Sequence, residues 1–322
     1  MVLYNCVKFI ARIAIRIFCR NIIINQPELL KIKGPVLLAA NHPNSFLDSV
    51  ILDTLFEQPV WSLARGDVFN KPFIIRILSA LKILPVYRPS EGVENLSENY
   101  KTFEACIDIF RTNGIITIFS EGKCINEWHL RPLKKGTARL AIKAWEENIQ
   151  LQVIPVGINY SSFRRFGKNI FLNFGTPIIK DNINLNKADG MQHQFFNNKF
   201  QKQLEQLVFE IPKDDKQKQE ELLEIKPSKA KQLLLAIPAA VGYLIHLPIY
   251  WPIKKFTWKK TNHNDHYDSV LTGILIFGYM LYLVLTVAIV WLLTDCWWAI
   301  FLLLLLPFTA WAYTQLKPQL DK

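Results

Sequence analysis

The sequence predicts an α/β domain on a mixed, mostly parallel sheet flanked by helices, preceded by an amphipathic helix and followed by a transmembrane helical hairpin. Three observations predict it. Between residues 35 and 178 short apolar runs bounded by turn residues alternate with segments of helical spacing, the pattern of parallel strands joined by crossover helices. The first two dozen residues carry a cation at every fourth position among apolar ones. Near the C-terminus, residues 270–293 and 297–315 are apolar and long enough to cross a hydrocarbon layer of about 30 Å.

At 322 residues the chain has room for one α/β domain of about 200 residues plus an appendage. Half of it is hydrophobic, its mean hydropathy is +0.13 and its formal charge is +11. That pairing suits a protein at an anionic membrane surface. Nucleic acid is the rival partner for a basic chain; no nucleic-acid-binding motif is present, and the apolar residues concentrate in the last third. The five cysteines are scattered and odd in number, with no CxxC pair and no zinc spacing, so they read as reduced thiols.

In residues 1–26, Lys8, Arg12, Arg16 and Arg20 form one ridge of a basic helix that lies on a membrane surface. Pro35-Val36-Leu37-Leu38-Ala39-Ala40 is a buried strand that runs into Asn41-His42-Pro43-Asn44-Ser45-Phe46-Leu47-Asp48. Pro43 and Asn44 turn the chain, Asn44 or Ser45 caps a helix over 46–56, and Asp48 falls in its first turn. A carboxylate there can meet an imidazole on the turn, fix its tautomer, and leave the second ring nitrogen to take a proton from a hydroxyl.

A second strand, 59–64, ends in Arg65-Gly66-Asp67; a short apolar helix and a strand ending in Arg88 follow. Residues 91–111 have helical spacing, and the strand Gly114–Phe119 opens onto Ser120-Glu121-Gly122-Lys123. Leu130-Arg131-Pro132-Leu133-Lys134-Lys135-Gly136 leads into the next helix, whose N-terminus with nearby lysines suits a phosphate. Strands 152–160, which contains Pro155, and 170–175 complete the sheet, giving a domain over 27–210. Residues 211–232 read as a polar linker. Residues 233–252, broken by Pro238, Gly242 and Pro248, read as an interfacial segment before the hairpin, and His246 within it as a packing residue. Lysines flank the hairpin's outer ends, which puts the domain on the cytoplasmic side of a bacterial inner membrane or its equivalent.

Four of these blocks, in order over roughly 35–178, resemble the motifs of the glycerolipid acyltransferases, the family of glycerol-3-phosphate and 1-acylglycerol-3-phosphate acyltransferases. The family's first motif is a His and an Asp with four residues between; here five intervene, Pro43 to Leu47. Its third, Phe-Pro-Glu-Gly-Thr-Arg, is matched at Phe119, Glu121 and Gly122, with the cation moved to Lys123. The resemblance implies a membrane-bound O-acyltransferase moving a fatty acyl group from acyl-CoA or acyl carrier protein to glycerol-3-phosphate or a lysophospholipid, foremost 1-acylglycerol-3-phosphate, in phospholipid synthesis. It casts His42 as the base and Asp48 as its partner. Arg88, Lys123, Lys134 and, more weakly, Arg65 are cast as cations for the acceptor phosphate. Gly122 would admit the anion, Glu121 would bind a glycerol hydroxyl or hold the cations, and Pro155 would shape the acyl site. Neither a metal nor a cofactor beyond the acyl donor is implied. The rivals are a membrane-bound thioesterase or lysolipid hydrolase, in which water replaces the acceptor, and a lipid-binding protein without catalysis.

Overall fold

The computed structural model describes residues 2–87, 98–183 and 189–321. Among them, one sheet contains β1 (Cys19–Ile24), β2 (Val36–Ala40), β3 (Val60–Arg65), β4 (Ile83–Val86), β5 (Ile115–Phe119), β6 (Gln152–Tyr160) and β7 (Lys168–Phe174). Their spatial order is β1-β7-β6-β2-β5-β3-β4, and every neighbouring pair is parallel except β6 with β7. β2 lies between β5 and β6, with Ala40 level with Phe119 on one side and Val156 on the other. Its end therefore adjoins the end of β5, and the loops that follow both strands emerge together at the carboxyl edge, where open parallel sheets build their sites.

Successive strand residues face opposite sides. Leu38, Ala40, Ile154 and Val156 pack under α1 (Val2–Phe18) and α2 (Phe46–Leu55), against Ile15, Leu47 and Ile51. Leu37, Ala39, Ile116 and Val153 pack on the other side against α4 (Glu98–Arg111), α5 (Gly136–Glu146) and α6 (Asp189–Leu207). α3 (Pro72–Ala80) lies between β3 and β4 in the chain. Since both faces are covered, β2 is apolar throughout and completely buried.

The N-terminal helix ends at Phe18, and Cys19–Ile24 is a strand paired with β7, where a helix over 1–26 was expected. The β-branched run Ile22-Ile23-Ile24 favours that outcome. Three of the four ridge cations also bond back to the protein, and Arg16 stays exposed. Lys8 pairs with Asp53 at 3.4 Å; Arg12 donates to Thr54 O and Phe56 O at the end of α2, at 2.6 and 3.0 Å; Arg20 is buried and donates to Thr314 O at 3.2 Å. Cations are drawn there because the last carbonyls of a helix lack partners and carry its negative dipole end. Val2, Leu3, Phe9 and Ile13 face out instead.

Residues 211–232 are no linker. They contain α7 (Lys216–Leu223), and Ile211 and Leu223 are buried in the core beneath β6 and β7. Residues 233–252, read as an interfacial segment, lie inside one continuous helix, α8 (Lys229–Thr261), despite Pro238, Pro248 and Pro252. Each proline removes one donor, and turns packed against neighbours tolerate that loss. Gly242 abuts the carbonyl of Thr309 so closely that an added Cβ would lie 2.1 Å from it, a contact that requires glycine. The last two helices, α9 (Tyr267–Thr294) and α10 (Leu302–Leu316), do not make a self-contained hairpin, because α10 packs most extensively on α8. Among the described residues, three helices, Lys229–Thr261, Tyr267–Thr294 and Trp297–Leu316, are long and apolar enough to cross a membrane.

Candidate active site

At the end of β2 the Asn41 side chain extends the ladder: its amide donates to Ile158 O at 3.0 Å and its oxygen accepts from Ile158 N at 2.7 Å. The backbone is thereby free to turn, and His42 leaves the sheet. Its ring stacks on Phe119 from the neighbouring strand, with centroids 4.0 Å apart and planes 15° apart. His42 Nδ1 meets Asp48 Oδ2 at 2.9 Å. Nε2 has no hydrogen-bond partner among the described residues, and the side chain is 16% exposed.

Asp48 is fully buried and both its oxygens are occupied. Oδ2 also accepts from Asn44 N at 2.9 Å, and Oδ1 accepts from the Tyr160 hydroxyl at 2.7 Å. Tyr160 is fully buried; burial first, then the Asp48 carboxylate, push its phenol well above the ordinary value, so it stays a donor. A buried carboxylate with three donors holds the imidazole in one orientation and tautomer, leaving Nε2 as the proton acceptor.

The turn between His42 and Asp48 is strained at one residue. Ser45 has φ 52° and ψ −134°, a conformation that normally selects glycine and costs about 1–3 kcal/mol for other residues. Neither Asn44 nor Ser45 caps α2 with its side chain: Asn44 donates to Asp268, and Ser45 Oγ lies 2.9 Å from His266 Nδ1. The amide of Leu47, which also reaches Asn44 O at 3.2 Å, donates to Ser269 Oγ at 3.0 Å, a cap supplied by α9.

Glu121 is 6% exposed and points into the protein. Its oxygens accept from the backbone amides of His42 and Arg131, at 2.8 and 2.9 Å, so it ties together the loops after β2 and β5. Burial raises its carboxyl above the usual range, while those two amides act in the opposite direction. Gly122 has φ 68°, and the Lys134 side chain passes over it, 3.1 Å from where a Cβ would sit. Lys134 N donates to Ser120 O at 2.7 Å, which fastens this segment just before α5 begins at Gly136. Gly122, the exposed Lys134 and the start of α5 thus lie together beside the β5 loop, and exposed Lys123 follows Gly122 directly.

Arg88 lies outside the described residues. Arg65 pairs with Asp67 at the end of β3. Pro155 sits inside a central strand, level with Ala39 and beside Leu207 of α6, on the opposite face of the sheet from α2. His246 meets Gly242 O and the Tyr279 hydroxyl, within the helical bundle. Tyr160, Asn41 and the Arg131 amide went unread in the sequence; for Tyr160 only its place at the end of an apolar strand signals a position at the sheet's carboxyl edge.

Residues 21–159 match the family model described as Acyltransferase. An acyltransferase domain is therefore the class that this sheet edge and its His–Asp pair define. The motifs at His42–Asp48 and Phe119–Gly122 and the strand through Pro155 fall in order within that matched span. A relative in Saccharomyces cerevisiae, glycerol-3-phosphate O-acyltransferase 2, is 25% identical over 166 residues; the match spans 49% of this chain and only 22% of that protein. The crystal structure of the 1-acyl-sn-glycerophosphate (LPA) acyltransferase PlsC from Thermotoga maritima is similar at 15% identity and a TM-score of 0.44, over 62% of this chain and 79% of that one.

Proposed function

We propose that the chain transfers a fatty acyl group from an acyl thioester to a hydroxyl of a phosphorylated glycerol acceptor, glycerol-3-phosphate or, foremost, its 1-acyl derivative. The observation that carries this reading is His42: Nδ1 is committed to a buried, three-donor carboxylate, Nε2 is open, and the Gly122–Lys134 corner stands on the neighbouring strand. Nε2 takes the acceptor's hydroxyl proton as its oxygen attacks the thioester carbonyl. The tetrahedral intermediate then collapses with loss of the thiolate, which recovers the proton from His42, so no acyl-enzyme forms. Lys134, Lys123 and the amides at the start of α5 would hold the acceptor phosphate, and much of the acceleration would come from positioning. Glu121 contributes by fixing the His42 backbone, not by touching the acceptor.

The three apolar helices would span the membrane, with the domain on its cytoplasmic side and the outward Val2, Leu3, Phe9 and Ile13 of α1 meeting lipid. The donor would be acyl-CoA or acyl carrier protein. The test is to incubate membranes carrying the protein with labelled acyl-CoA and a panel of acceptors, and to identify the lipid made. A labelled glycerophospholipid that disappears in His42→Ala supports transfer. Free fatty acid released without any acceptor would instead mark a hydrolase.

A further inference from the structure

We propose that the first turn of α9, through Ser269 and Asp268, is a positioning element for the His42–Asp48 pair, coupling the membrane bundle to the catalytic loop; this rests on the function proposed above. Ser269 Oγ donates to Asn44 O at 2.9 Å and accepts from Leu47 N at 3.0 Å, so one hydroxyl bridges the two ends of the turn at Ser45. Asp268 Oδ2 accepts from the Asn44 side-chain amide at 2.9 Å. The same oxygen is paired with Lys168 of β7, and both members of that ion pair are fully buried. The carboxylate therefore fastens Asn44 to α9 and α9 to the sheet at one point.

Asn44 is where this network reaches the chemistry, because its backbone amide is a donor to the oxygen of Asp48 that holds His42 Nδ1. Ser45, next along, sits in a conformation that persists only where its surroundings over-determine it. Those surroundings come from two sides: Ser269, Asp268 and His266 from α9 and the residues just before it, and from the β5 loop Glu121 on His42 N, Ile125 N on His42 O at 3.3 Å, and Asn126 donating to Pro43 O at 2.7 Å. Hydroxyl and carboxylate groups in the first turn of a long apolar helix are costly unless partnered; Ser269 Oγ is partnered by the loop and Asp268 Oδ2 by the loop and Lys168, while Asp268 Oδ1 has no partner among the described residues. Ser269 and Asp268 touch no reacting atom. They act by setting where Asn44 N points, and hence how Asp48 presents His42. A bundle shifted away from the domain would release the turn, so catalytic competence follows the seating of α9.

The experiment compares full-length Ser269→Ala, Ser269→Thr, Asp48→Asn and the double variant Ser269→Ala/Asp48→Asn in nanodiscs. Ser269→Ala should lower kcat about tenfold or more while both KM values stay within about twofold, because misplacement by even an ångström acts on the chemical step. Ser269→Thr, which keeps the hydroxyl, should recover most of that loss. The double variant should be no slower than Asp48→Asn alone, since both act through one carboxylate. A readout independent of turnover is the rate at which diethyl pyrocarbonate modifies His42, followed by peptide mass spectrometry: Ser269→Ala should move it toward the Asp48→Asn value. Wild-type kcat and His42 reactivity in Ser269→Ala would overturn the proposal. So would a loss that tracks a lower melting temperature and is not recovered by threonine, or one that adds in full to Asp48→Asn. If the wild type transfers no acyl group to any acceptor, the function fails while His42 reactivity still decides the positioning role. Should Ser269→Ala not fold, Asp268→Asn carries the same comparison.

Discussion

The sheet and the helical bundle are built from the same kinds of side chain turned opposite ways. In β2, Val36, Leu37 and Leu38 have no exposed surface, whereas in α9 Leu281, Leu292 and Leu293 are 61%, 80% and 80% exposed. The polar groups invert as well. Asp48 and Tyr160 of the domain, like Asp268 and Ser269 at the head of α9, are buried and hydrogen-bonded, while the rest of α9 has little polarity to hide. The domain turns its apolar side chains inward and the bundle turns many of them outward, as helices proposed to meet lipid would. The seam between them is the short polar stretch where α9 grips the catalytic loop.

That contrast can be broken most sharply at the site. Replacing Asp48 by Asn keeps the volume but removes the carboxylate that sets the His42 tautomer, and kcat should fall by about three to four orders of magnitude. A steady-state assay that finds less than a tenfold loss would separate Asp48 from the chemistry. Next in size is the core. Leu38→Ala should cost about 2–5 kcal/mol of domain stability, because a buried leucine leaves a cavity, and chemical denaturation in detergent measures it. Lys134→Ala should raise the KM for the phosphorylated acceptor about tenfold with the thioester KM unchanged; a shift confined to the thioester would remove Lys134 from the phosphate site.

Smaller effects sharpen the comparison. Glu121 has a folded-state carboxyl raised by burial, so its contribution to stability is present at acid pH and lost as pH rises through that folded value. The margin of wild type over Glu121→Gln in thermal unfolding should therefore be wider near about pH 4 than near about pH 7. A margin that instead widens with pH would show the two backbone amides outweighing burial. Leu292→Ala, the counterpart of Leu38→Ala on the bundle's outer face, should change stability in detergent by no more than about 0.5 kcal/mol. A loss comparable to that at Leu38 would mean this face is packed against something other than lipid.

Part of this molecule is legible in one dimension because its causes are local. Strand ends and the turn at Pro43 depend on neighbouring residues, and so the His42–Asp48 pair could be read from order and spacing, while Gly122 was marked by its likeness to a family motif. An amphipathic pattern, by contrast, shows that α1 has two faces without showing which is covered. Lys8 was drawn to the Asp53 carboxylate, and Arg12 and Arg20 to carbonyls in need of donors at the ends of α2 and α10, while Arg16 stayed exposed. Glu121 likewise read as a ligand group, and its role was decided by two backbone amides brought to it by neighbouring loops.

Sequence alone determined that a strand delivers a histidine to a turn, that a carboxylate stands one helical turn beyond, and that apolar helices long enough for a bilayer follow. Only the tertiary structure decided what holds that pair. Tyr160 reaches Asp48 across 112 residues and Ser269 reaches Asn44 across 225. A hydrogen bond is satisfied by whichever group the packed chain brings within about 3 Å, and spacing along the chain carries no record of that distance.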